Sequence, residues 1–142
     1  MTSSKGLTLI ELLIVISVIA IIGTFTTPFL SNFIVSNNFE TTMNEIIGTI
    51  RKAQNYSMSG KNEGAWGVCL KSSKITLFKG SCNLPVFTES YDVPASVTVV
   101  GLNEITFSNK LGEPSSSLAI TVSAVNKLRT INLNQVGGIT IN

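Results

Sequence analysis

The sequence predicts an α+β fold: a long N-terminal helix, kinked near Pro28, packed on a C-terminal head of short antiparallel strands. Three observations carry this. The apolar residues are concentrated in one N-terminal run, a single helical stripe follows, and from Gly64 the hydrophobic period changes to two. The chain has 142 residues, one domain's worth, with 13% charged and a net charge of +2. That charge share is about half the ordinary one. There is no His, which removes the commonest general base and the commonest Zn ligand; two Cys are too few for a one-chain structural Zn site. No catalytic residue, metal site or cofactor is expected, and the weak positive charge argues against a dedicated nucleic-acid binder.

The first element is LLIVISVIAIIG from Leu12 to Gly23, with Ser17 its only polar side chain. Extended to Leu30 it is about nineteen residues, roughly 28 Å of helix, close to the ~30 Å core of a bilayer. A membrane-spanning segment is expected, with Lys5 holding its N-terminal end in the cytoplasm and the head outside. An ordinary secretory signal fits poorly, because no small-residue cleavage site follows the apolar run. Glu11 is the one ionisable side chain between Lys5 and Glu40. It sits at the border of the run; a carboxylate near the bilayer interior costs a few kcal/mol, about 2.5–3.5 at a helix centre, so Glu11 is a candidate functional residue. Its plain alternative is a helix-start residue favoured by the macrodipole.

Pro28 lacks an N–H and clashes with the carbonyl four residues back, so the helix is expected to kink or loosen there. Beyond it Phe39, Met43, Ile46, Ile50 and Ala53 recur at helical spacing, one stripe of an amphipathic stalk that stops at Ser59-Gly60. The head follows. Ala65–Leu70 and Ile75–Lys79 flank a Lys71-to-Lys74 turn, with Leu70 set opposite Ile75 and Val68 opposite Leu77. Further strands are expected at Val97–Val100, Glu104–Ser108, Leu118–Ala124, Arg129–Asn134 and Ile139–Ile141, separated by Gly, Pro and Asn turn signals. The inward sets are Ile105/Phe107, Leu118/Ile120/Val122, Ile131/Leu133 and Ile139/Ile141. Trp66 alternates with Val68 and Leu70 and reads as core rather than as a ligand platform. The implied segments are 1–6 leader, 7–30 membrane or filament-core helix, 31–58 stalk helix and 59–142 β-rich head, a ladle shape.

The run KGLTLIELLIVISVIAIIG resembles the class III signal of type IV pilins and type II secretion pseudopilins. The resemblance implies cleavage by prepilin peptidase after Gly6 and methylation of the new N-terminus at Leu7, where Phe is the usual residue. Glu11 falls where that family keeps its glutamate, which pairs with the N-terminal amine of a neighbouring subunit, and Pro28 matches its helix-kinking proline. The Ile50-Arg51-Lys52-Ala53-Gln54 segment, an Ile-Thr-Phe strand before Gly112, Asn126-Lys127-Leu128-Arg129 and Asn134 with Gly138-Ile139 resemble the GspH/FimT family of minor pilins and H-type pseudopilins. The partners this implies are other pilins or pseudopilins through the N-terminal helix, prepilin peptidase, the inner-membrane assembly platform and membrane lipid. The implied place is a single pass in the bacterial inner membrane, with the head in the periplasm or on a filament. The implied role is a structural subunit of a secretion pseudopilus or a type IV pilus. A DNA- or substrate-binding head is the alternative, with Lys110, Lys127 and Arg129 the residues offered to DNA; a solvated strand edge is their plain reading. No Asp or Glu follows Glu113, so the acidic calcium loop of major pseudopilins is missing. Cys69 and Cys82 lie in a compartment where disulfides persist, and a bridge between them closes a short loop; two free thiols are the alternative.

Overall fold

The computed structural model describes residues 8–142, apart from the side chains of 25–29. Helix α1 runs Leu9–Met58, 50 residues. Its start is set by Thr8, whose Oγ1 accepts a hydrogen bond from the Glu11 N–H at 3.3 Å, satisfying one of the donors a helix N-terminus leaves unpaired. The chain falls into two compact units, residues up to Ile34 and Val35–Asn142. Stalk residues from Val35 onward therefore share a unit with the strands.

In the first unit the helix is apolar on every face. Leu9, Ile10, Leu12, Ile16, Ile19 and Ile22 are all more than half exposed. The two hydroxyls in this stretch bond back to the helix itself, Ser17 Oγ to the Leu13 carbonyl at 2.7 Å and Thr24 Oγ1 to that of Ile21 at 2.8 Å. This internal pairing is how a hydroxyl is tolerated among apolar neighbours. Among the described residues no helix is long and apolar enough to cross a membrane. The apolar stretch from Leu9 to Gly23 covers only about 22 Å, and the expected span to Leu30 passes through 25–29, outside the described side chains. The helix assignment is unbroken at Pro28; the expected kink falls on those same residues.

In the second unit the stripe Phe39, Met43, Ile46, Ile50 and Ala53 is buried at 2% exposure or less. Burying the four large side chains is worth roughly 6–12 kcal/mol. The helix stops where the sequence says. Lys61 N–H bonds to the Tyr56 carbonyl and Gly60 N–H to that of Ser57, with Gly60 at φ +65°. This is a Schellman cap, and the left-handed position suits glycine.

Eight strands follow: β1 Trp66–Lys71, β2 Lys74–Gly80, β3 Pro85–Asp92, β4 Val97–Val100, β5 Ile105–Thr106, β6 Leu118–Ala124, β7 Lys127–Leu133 and β8 Ile139–Ile141. They form two four-stranded sheets, β3-β2-β1-β5 and β4-β6-β7-β8, and every strand pair is antiparallel. Leu70 faces Ile75 and Val68 faces Leu77, as the alternation requires. Ser72 and Ser73 both take positive φ, the two-residue turn whose twist matches its strands. One core cluster draws on the helix stripe and on both sheets: Trp66, Val68 and Leu77 from the first, Ile120, Val122 and Ile131 from the second.

The structure corrects the pattern reading in four places. Strand β3 lies where the sequence pattern predicts no strand. It is an edge strand, mostly exposed, so burial imposes no apolar alternation on it. The expected strand over Glu104–Ser108 contracts to Ile105–Thr106, then a single bridge from Phe107 to Pro114. Strand β7 begins at Lys127 rather than Arg129 and ends at Leu133. Ile141, expected inside, is 49% exposed at a sheet edge.

Both faces of β1 are covered. Opposite Trp66 and Val68, the Phe78 ring lies across Gly67, and a β-carbon on Gly67 would stand 2.5 Å from that ring and from the Ile105 carbonyl oxygen. Phe78 is fully buried there. Gly67→Ala is expected to force β1 and β5 apart and to cost about 1–3 kcal/mol, as overpacking does; chemical denaturation of the variant against wild type measures it.

Candidate functional site

The candidate site at the N-terminus is built on the first turn of α1. Thr8 is the N-cap and Glu11 stands three residues on, inside the first turn. Ser/Thr followed three residues later by Glu is the capping-box spacing, and of its two bonds the one from the Glu11 N–H to Thr8 Oγ1 is formed. Glu11 is exposed among exposed apolar neighbours. Gly6 and Leu7, the expected cleavage and methylation positions, lie outside the described residues.

In the head, Cys69 and Cys82 form a disulfide with a Cα–Cα distance of 6.3 Å. Closing a loop of this size is worth about 3 kcal/mol in the chain-entropy model. Cys69 is buried in β1. Cys82 sits in the loop after β2, where Glu104 Oε1 accepts its N–H at 3.1 Å. The bridge thus ties the loop leading into β3 to the face of β1 that Phe78 covers.

Lys127 and Arg129 come together, and an acid meets them. Lys127 Nζ donates to Ser36 Oγ at 2.7 Å and to Glu40 Oε1 at 3.2 Å; Arg129 Nη1 donates to Glu40 Oε2 at 3.4 Å. The two cations alternate in register with Ile131 and Leu133, which are buried. They therefore sit on the helix-facing side of the sheet. That parity was readable in the sequence, whereas the partner Glu40 was not. Lys110 lies elsewhere, in the left-handed region at φ +75°, its N–H bonded to the Ser57 carbonyl at the end of α1.

A second polar cluster escaped sequence reasoning. Lys52 Nζ sits 2.7 Å from both Glu89 carboxylate oxygens, and Tyr91 Oη donates to Glu89 at 2.5 Å. The Lys52 hydrogen bond, then that from Tyr91, hold the Glu89 carboxyl below its ordinary range. The bond to Glu89 raises Lys52, and the bond to Glu89 raises the Tyr91 phenol. Beside it stand Tyr56, Trp66 and Phe87 in edge-on contact at 4.9 and 5.3 Å, with Lys61 Nζ 3.6 Å from the Tyr56 ring centre. Trp66 is fully buried, its indole N–H given to the Lys61 carbonyl at 2.9 Å. It is a core residue. The cluster locks the end of α1 to β1 and β3. No group of three or more Cys, Asp or Glu poised for a metal ion occurs among the described residues.

Glu89 has a lowered folded pKa, so its contribution is present above its unfolded value of about 4.5 and is lost as pH falls through the lower folded value. Both side chains are about one-third exposed, so the ion pair is worth at most about 1 kcal/mol. Glu89→Gln is expected to lose that increment at neutral pH and to flatten the acid limb of stability below about pH 5; thermal melts from neutral pH downward check it.

No curated protein and no solved structure matches the chain. Residues 1–27 match the family model described as the prokaryotic N-terminal methylation motif, and with the helix and its antiparallel sheets this makes the chain pilin-like in signal and in fold.

Proposed function

We propose that the chain is a structural pilin-like subunit, a minor pilin or pseudopilin, that helps initiate or cap a filament of a type II secretion pseudopilus or a type IV pilus. The observation that carries this reading is the N-terminal methylation motif, joined to an apolar helical stretch, Leu9 to Gly23, whose one carboxylate is Glu11. Prepilin peptidase cuts after Gly6 and the new amine at Leu7 is methylated, which keeps its charge. The segment anchors the chain in the bacterial inner membrane before assembly, with lipid, the assembly platform and other pilins as its partners. In the filament Glu11 pairs with the N-terminal amine of a neighbour, away from water.

The energetics favour a register role for this pair. The carboxylate is costly in lipid. Once the pair is buried in a bundle, deleting one partner leaves an unpaired charge and costs several kcal/mol. The reading makes no use of an enzyme site. The DNA-binding alternative draws little support from the head, where Lys127 and Arg129 are engaged by Glu40.

Mass spectrometry of membrane-extracted protein from cells with active prepilin peptidase is expected to show loss of residues 1–6 and gain of one methyl. An intact Met1 terminus would overturn the proposal. Glu11→Ala is expected to leave insertion and cleavage intact while abolishing incorporation with partner pilins, read by crosslinking. Assembly at the wild-type level would reduce Glu11 to the helix-start role that its capping position already provides.

A further inference from the structure

The outward face of the β4-β6-β7-β8 sheet carries no ionisable side chain. Its central row is Val100, Thr121 and Thr130, set opposite one another across three strands. The flanking rows are Thr98, Ser123 and Leu128 on one side and Ala119, Asn132 and Thr140 on the other. Thr98, Ala119 and Thr140 are exposed, as are Val100 at 60% and Leu128 at 68%. The corresponding face of the other sheet differs. There Lys71, Lys74 and Asp92 share one row, with Lys74 and Asp92 paired at 2.8 Å.

The chemistry of this face narrows its occupant. It offers no cation to a nucleic acid or an anionic lipid surface. It holds no aromatic ring on which a base stacks. Its hydroxyls and the Asn132 amide both donate and accept, so the face complements itself, and two copies meet across it with no like-charge pair of side chains. Two strands of seven residues flanked by one of four and one of three, about 4.8 Å apart with a rise of about 3.3 Å per residue, give roughly 330 Å², under half the ~800 Å² per partner of a standard interface. A face of that size suits copies already held close to one another, because tethering supplies the effective concentration a small contact lacks.

We propose that this face seats a second copy of the chain, sheet against sheet about a two-fold axis near Thr130. The inference rests on the membrane-anchored reading for the tether, but the face itself is independent of leader cleavage and of Glu11.

The test uses the full-length chain in neutral-lipid vesicles with a single added cysteine and a mild oxidant. Thr130→Cys is expected to crosslink to a dimer well above Lys74→Cys, which sits on the charged face of the other sheet. Adding Thr121→Lys, or separately the exposed Ala119→Lys, is expected to lower that yield roughly tenfold, the factor that ~1.4 kcal/mol produces. Equal yields from Thr130→Cys and Lys74→Cys overturn the proposal, as does a yield that neither lysine reduces. So does crosslinking only to a different pilin-like subunit supplied alongside. If the chain does not float with the vesicles, the anchoring reading fails. The same variants are then compared free in detergent, where the Thr130→Cys to Lys74→Cys ratio still decides the inference.

Discussion

Burial of the stripe from Phe39 to Ala53 is the constraint on which the second unit depends. These side chains are almost fully inaccessible, and they join a cluster that takes residues from both sheets. No hydrogen-bonded strand pair joins the two sheets. Side-chain packing with the stripe is therefore a principal link between them. Polar links add to it: Trp66 N–H to Ser57 Oγ at 2.9 Å, Gln54 to the Gly112 carbonyl at 3.1 Å, and Lys127 to Ser36. Each joins the helix to a strand or loop of the head.

A chain with few charges uses many of them inside itself. Glu40 takes Lys127 and Arg129 from β7, Glu89 takes Lys52 from the helix, and Asp92 takes Lys74 across a strand pair. Partly exposed pairs of this kind add little stability each. Their effect is on placement, since a cation held by an internal acid is less available to an external anion. The same economy leaves one sheet face without any ionisable group.

The two units place opposite demands on their apolar residues. In the second, a stripe on one side of the helix is enough, because the sheets cover it and the remaining faces stay polar. In the first, the helix is apolar all round and its large side chains are exposed in the single chain. Such a surface is stable only against lipid or other helices. One continuous helix thus carries a wide apolar face over its first part and a narrow apolar stripe over its second.

The sequence by itself determined the elements whose signals are local. The apolar run, the Gly60 stop, the stripe and the register of β1 on β2 all depend on neighbours within a few turns or one hairpin. The N-terminal motif was legible for the same reason: its specificity lies in the order of adjacent residues. Only the tertiary structure decided what depends on residues far apart in the chain. Strand β3 gains its place by pairing with β2 and by the Lys52–Glu89 contact, neither of which leaves an alternating pattern. The division into two sheets, the covering of Gly67 by Phe78 and the pairing of Glu40 with two β7 cations all join distant segments. Side-chain periodicity says which face of a strand turns inward, but not which charge waits there, because that partner is chosen by packing.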